Sequence, residues 1–144
     1  MKKREITVTF DSVSENESFA RMVVTAFITR LDPTLEEIDD VKTAESEAVT
    51  NAIIHGYESQ EGTIKIQCSI EDNVLFIDVI DEGVGIQDIQ KAMEPLYSSK
   101  PELERSGMGF AFMEAFMDDL DVISEPGRGT KVHMKKTIYS ALHA

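Results

Sequence analysis

Apolar and polar residues alternate near the start of the chain. Ile6, Val8 and Phe10 are separated by Thr7 and Thr9, a period of two that predicts a half-buried strand. The period then lengthens. Ser14-Glu15-Asn16-Glu17 has the spacing of a capping box, and the helix it predicts carries Phe19, Met22, Val23, Ala26 and Phe27 on one face. Asp32-Pro33-Thr34 interrupts, and Thr34 with Glu37 forms a second capping box. The following helix carries Leu35, Ile38, Val41, Ala44 and Ala48, and continues through ESEAVTNAIIHG to Gly56. Two strands follow, 62–70 and 73–80, joined by a tight turn at Glu71-Asp72. Residues 86–93 allow a short helix. Residues 107–119 predict a longer one with Phe112, Met113, Phe116 and Met117 inward, and 120–138 a hairpin around Pro126-Gly127-Arg128-Gly129. The order β, α, α, ββ, loop, α, ββ argues for an α+β fold, an antiparallel or mixed sheet covered by helices on one face.

Composition narrows the function classes. The 144 residues suit a single domain, 1–144, with a sizeable core. Acidic side chains outnumber basic ones by 27 to 14, giving a net charge of −13. That balance argues against a nucleic-acid binder, whose affinity comes from Lys and Arg on phosphates, and suits a protein partner with a basic surface or simply a solvated acidic face. Cys68 is the only cysteine, so no disulfide forms within one chain, and His55, His133 and His143 lack metal-ligand spacing. MKKREITVTF has no apolar segment after its basic residues, so no signal peptide is expected. No apolar run approaches the ~20 residues of a membrane helix. A reducing cytoplasm is the simplest compartment.

Three stretches carry candidate chemistry. Asn51 interrupts the apolar positions Ala48, Val49, Ala52 and Ile53, although asparagine is neutral to unfavourable inside a helix. Glu47 lies one turn earlier on the same face. An amide oxygen can ligate Mg²⁺, and the carboxylate can accept a proton from an attacking hydroxyl. The alternatives are a satisfied buried amide and a solvated helix face. Next, Asp81-Glu82-Gly83-Val84-Gly85 follows an apolar strand, setting an acceptor for an adenine amine beside backbone open to a flat ligand. Alone it reads more readily as a turn. Last, Gly107-Met108-Gly109 precedes a helix whose N–H groups can hold phosphates, although such glycines also serve close helix packing. Lys100 and Arg105 can neutralise phosphate charge in the loop PLYSSKPELERSG, whose prolines and serines predict mobility.

ExxxN followed by AIIHG, then DEGVG, SGMGF and a late GTKV, resembles the GHKL ATPase family of histidine kinases, Hsp90-type chaperones, gyrase B and MutL. Among its small single-domain members the chain is similar to the anti-sigma serine kinases of endospore-forming bacteria, over about Ile6 to Ile138 and including SENESFAR, LDP and KPELERSGMGF. The resemblance implies the two-layer α/β sandwich of that family, with a mixed, mostly antiparallel sheet. It implies Glu47 as catalytic base, Asn51 as Mg²⁺ ligand and Asp81 as adenine acceptor, with Gly83 and Gly85 shaping the pocket and Thr130 supporting it. Gly107 and Gly109 would meet the phosphates, and a lid over about 95–106 would bring Ser98, Ser99, Lys100 and Arg105 to the nucleotide. His55 follows the Glu47–Asn51 motif with no role fixed, helix-terminal packing being one reading.

The same resemblance implies ATP or ADP with Mg²⁺ as ligands, and three protein partners. These are a sporulation sigma factor of the sigma-F type, an anti-anti-sigma protein phosphorylated on serine, and a second copy in a homodimer. Arg21 and Arg105 are the candidate partner contacts, against the alternative of solvated surface charges. Nucleic acid and membrane are not expected. Rival readings are an isolated histidine-kinase module, a sequestering protein without kinase activity, and a stress-response relative. Intact Glu47 weighs against sequestration alone, which needs no base.

Overall fold

The computed structural model describes residues 3–93 and 109–139. Five strands form one sheet in the order β1-β2-β3-β5-β4: β1 (Arg4–Asp11), β2 (Thr63–Glu71), β3 (Val74–Asp81), β4 (Asp119–Glu125) and β5 (Gly129–Thr137). Every pairing is antiparallel, so the sheet is more regular than the mixed sheet the sequence allowed. Helices α1 (Ser14–Ile28), α2 (Leu35–Asn51), α3 (Ile89–Ala92) and α4 (Gly109–Phe116) complete the described chain. The period-two pattern decides the layering. Ile64, Ile66, Cys68 and Ile70 on β2, Leu75, Ile77 and Val79 on β3, and Val132 and Met134 on β5 are buried on one face, in one core with the helices. On the other face Asp78 hydrogen-bonds His133, whose ring stacks on Phe76 with centroids 6.0 Å apart.

Local sequence explains most element ends. Thr34 caps α2 with a full capping box: its hydroxyl accepts from Glu37 N at 3.1 Å, and its own N–H donates to the Glu37 carboxylate at 2.9 Å. The hairpin turn falls one residue later than expected. Glu71 pairs with Val74, and Asp72 takes a left-handed φ of 55°, which Asp tolerates better than most side chains. The predicted capping box at Ser14 does not form. Asn16 N already bonds Val13 O at 3.0 Å, so Val13 is the cap residue and Ser14 lies inside the helix.

The buried face of α1 also differs from the sequence reading. Phe19 and Met22 are 66% and 68% exposed, and Val23 and Ala26 also face outward. Phe27 is buried as expected, but with Ala20, Val24 and Ile28 as its buried companions. Reading the stripe from the largest apolar residues rotated the helix by about one position (~100°). Small Ala20 and Val24 let α1 lie close to α2, and this rotation turns Glu17 toward Glu45 of α2.

Glu45 is fully buried, and among the described residues neither carboxyl oxygen has a hydrogen-bond partner within ordinary bonding distance. Burial first, and the facing Glu17 carboxyl second, push its carboxyl from an ordinary value of 4.5 up to about 10, against the opposing pull of Arg21. Arg21 Nε stands 3.6 Å from Glu17 Oε2. Cys68 of β2 faces the same cluster, its thiol pushed up to about 12 by burial and then by Glu45. Glu45 is therefore protonated at neutral pH.

The linkage has a definite sign. The unfolded chain releases this proton near 4.5 and the folded chain holds it to about 10, so this group erodes stability as pH rises across that window. Glu45→Gln, which keeps the shape without the ionisation, should raise the thermal midpoint at pH 8 by about 4 °C per kcal/mol relieved. The gain should shrink toward zero near pH 4.5. An equal offset at pH 5 and pH 8 in calorimetric melts would rule out a bound proton.

Candidate nucleotide site

Glu47 and Asn51 both lie on α2, one turn apart and half-buried beside the inward Ala44 and Ala48. They share a helix face, as their spacing predicts. The helix does not stop at Asn51. Ala52–Gly56 continues as a π-turn closed by Tyr57 N–H donating to Ala52 O at 2.9 Å. His55 is half-buried within this turn. The wider turn carries Gly56 to the end of β3, against Asp81.

That approach is close because side chains are missing from it. A Cβ on Gly56 would sit 2.9 Å from the Asp81 carboxyl atoms. A Cβ on Gly83 would sit 1.9 Å from Gly56 O, and one on Gly129 would sit 2.1 Å from Asp81 O. Gly85 and Gly129 also hold φ of 77° and 91°, which most side chains resist. Val84 N–H donates to Gly56 O at 2.8 Å, tying the loop after β3 to the helix tail.

Asp81 is buried at the end of β3, directly opposite Thr130 at the start of β5. Its Oδ1 accepts from Gly83 N–H at 2.9 Å. Burial pushes its carboxyl above the ordinary range, while hydrogen bonds from the Gly83 and Thr130 amides oppose that rise. Thr130 stands 2.8 Å from the Ser124 hydroxyl, which also accepts Ile86 N–H at 2.8 Å. The loop is thus pinned at both ends.

The structure brings Asp81 and Gly83 against the π-turn that extends the Glu47–Asn51 helix, with Thr130 paired to Asp81 and Gly85 packed on Glu125. Gly109 is the buried first residue of α4, which packs on α2. Ser98, Ser99, Lys100, Arg105 and Gly107, and with them the lid over about 95–106, lie outside the described residues. Arg21 is 37% exposed in its side chain and faces the Glu17–Glu45 pair, so it is more than a surface charge. Gly56, Tyr57 and Ser124 were missed as site residues. The run HGY after the Glu47–Asn51 motif was the available signal, and for Ser124 there was none. Asn51 offers a hard amide oxygen of the kind Mg²⁺ takes. Among the described residues, no group of three or more His, Cys, Asp or Glu side chains is placed to hold a metal.

Residues 11–136 match the histidine kinase-like ATPase domain. An anti-sigma F factor of Clostridium acetobutylicum is 62% identical over 136 residues, covering 94% of this chain and 95% of that protein. The chain belongs to the anti-sigma F factor family of histidine kinase-like ATPases. Another member, from Bacillus licheniformis, is 53% identical over 93% of this chain and 92% of its own length. Among solved structures, the RsbU and RsbW domains of a Mycobacterium tuberculosis protein superpose with a TM-score of 0.67 at 19% identity. That match covers 94% of this chain and 32% of the mycobacterial one. The histidine kinase domain of an Erythrobacter litoralis blue-light-activated kinase gives 0.57 at 18% identity, over 87% of this chain and 62% of the other. At such identities these two structures speak for the fold alone, which is the GHKL sandwich expected from the sequence.

The packing of Gly83 on Gly56 makes a direct prediction. Gly83→Ala forces backbone against backbone, where no side chain can yield. It should cost about 1–3 kcal/mol of stability. Gly127→Ala is a control with open space at its Cβ but a φ of 80°, so it should show only the strain of that backbone. Equilibrium urea unfolding of both variants checks this; equal losses would mean that contact with Gly56 is not limiting.

Proposed function

We propose that this chain is an ATP-dependent anti-sigma factor and protein serine kinase. In its ATP state it holds a sporulation sigma factor of the sigma-F type away from RNA polymerase, and it phosphorylates a serine on an anti-anti-sigma protein. One observation carries this reading. The helix that bears an acid and an amide on one face ends in a turn that closes on a buried Asp, within a chain whose near-full-length relatives are named anti-sigma F factors.

The division of labour follows from the chemistry. Bound ATP with Mg²⁺ supplies the γ-phosphoryl group. Asp81 accepts the adenine amine, with Thr130, Gly83 and Gly85 shaping its surroundings. Asn51 would offer its amide oxygen to the cation, which would supply charge neutralisation at the phosphates. Glu47, on the same helix face, takes the proton of the attacking serine. Gly107 and Gly109 donate backbone N–H groups to the phosphates. Lys100 and Arg105, with Ser98 and Ser99, attend the phosphates by their place in the sequence. Phosphoryl transfer asks for positioning and charge neutralisation more than covalent help, which suits a site made largely of backbone. A net charge of −13 suits partners with basic surfaces. The working unit is a homodimer in the cytoplasm, with Arg21 and Arg105 at the partner contacts.

The reading is tested by phosphoryl transfer from labelled ATP and Mg²⁺ to a purified anti-anti-sigma protein, with the phosphate located by mass spectrometry. Glu47→Ala should reduce transfer by roughly 10²-fold or more, while ADP affinity stays within about twofold of wild type. Equal loss of both would sink its assignment as base. Transfer absent from the wild type, with ADP binding and sigma capture intact, would leave sequestration as the whole activity.

Asp81→Asn replaces an acceptor-only carboxylate with an amide and should weaken ADP binding by roughly tenfold or more, the cost of a mispaired buried hydrogen bond. Because burial raises the Asp81 carboxyl, ADP affinity should start to fall on acidification at a pH above the ordinary carboxylate range. Titration calorimetry across pH reads both effects. A flat affinity in the wild type would count against the ionised acceptor.

A further inference from the structure

Tyr57 follows the π-turn, and its hydroxyl makes two hydrogen bonds whose directions are fixed by chemistry. Thr63 O, at 2.5 Å, can only accept, so the phenolic proton points there. Glu82 N–H, at 2.8 Å, can only donate, so an oxygen lone pair receives it. One hydroxyl therefore bridges the start of β2 and the residue after Asp81. The ring is held as firmly as its tip. A Cβ on Gly62 would lie 2.4 Å from ring carbons, so the ring rests flat on glycine backbone. The Tyr57 main chain is bonded on both sides, its N–H to Ala52 O at 2.9 Å and its carbonyl to Gln60 N–H at 2.8 Å.

Glu82 N belongs to the peptide unit that follows Asp81. Holding it fixes the ψ angle of Asp81 and so the course of the next residues, which bring the Gly83 N–H to the Asp81 carboxyl at 2.9 Å. The Thr130 amide holds the same carboxyl from β5. Without the phenol, one of these restraints on Asp81 is lost. An acceptor that is sharply aimed discriminates between bases better than a loose one. At the corresponding ring position adenine presents an amine donor and guanine a carbonyl acceptor, and a site built to bond one rejects the other through the unpaired buried group.

We propose that Tyr57 is a positioning residue for base selection: it aims the Asp81 carboxylate at the amine of adenine without touching the nucleotide. This inference rests on the reading of Asp81 given above.

Tyr57→Phe tests it, because the ring that covers Gly62 stays and only the hydroxyl goes. Affinities for ADP and GDP are measured by titration calorimetry on the full chain, beside steady-state transfer from ATP. ADP affinity should fall roughly three- to tenfold, the range of one hydrogen bond, while GDP affinity hardly moves, so the ADP:GDP ratio narrows. KM for ATP should rise with kcat within about twofold. Equal weakening of ADP and GDP, or an unchanged ADP:GDP ratio, overturns the proposal. A wild type that binds ADP and GDP alike overturns the Asp81 reading itself, a result distinct from failure of the Tyr57 step. Amide hydrogen exchange gives a check independent of the variant's folding. In the wild type the Glu82 amide should exchange at least tenfold more slowly than an unbonded amide; exchange at the unprotected rate is also an overturning result.

Discussion

The contact between Gly56 and Gly83 is the constraint on which the rest of the site depends. Two backbone segments meet there with no side chain between them, and a single Cβ on Gly83 would push into a carbonyl oxygen. Because they meet, the tail of α2 and the end of β3 share one wall. The Glu47–Asn51 face and the Asp81 carboxyl are then held in one rigid frame, and not on two elements that must find each other. Dispersion and hydrogen bonding each add little per contact, but Gly56 alone bonds Val84 N–H, meets the Gly83 backbone and lies against the Asp81 carboxyl.

The antiparallel sheet supplies the other half of the frame. Asp81 and Thr130 face each other as the last and near-first residues of neighbouring strands, so the register of β3 on β5 places the acceptor beside its amide donors. Ser124 on β4 extends the arrangement to the far side of the loop, through Thr130 and Ile86. At the opposite end of the same strands, Lys136 reaches through to Phe116 O at 2.8 Å and Asp40 at 3.3 Å, joining β5 to the end of α4 and to α2. Sheet register thus sets Asp81 against Thr130, and the Lys136 bonds tie β5 to the helices packed on the sheet.

Much of this was legible beforehand. Alternation and turn residues marked all five strands, and the Glu47–Asn51 spacing put both side chains on one helix face, because each depends on local chemistry that sequence spacing carries directly. What failed depended on contacts distant in sequence. The face of α1 was misread because size suggested Phe19 and Met22, whereas the helix is oriented by close packing of Ala20 and Val24 and by the meeting of Glu17 with Glu45, 28 residues away. The cap at Ser14 failed because the chain enters the helix one residue earlier. Tyr57 and Ser124 escaped notice because a hydroxyl that bonds loop amides leaves no periodic trace.

The Glu17–Glu45 pair has a consequence outside the site. Glu45 carries its proton when folded and loses it when unfolded at neutral pH, so every molecule that unfolds there releases a proton to the buffer. The heat measured on unfolding therefore includes the buffer's own heat of protonation. Enthalpies recorded in phosphate and in Tris belong to different overall reactions, and they agree only after that buffer contribution is subtracted.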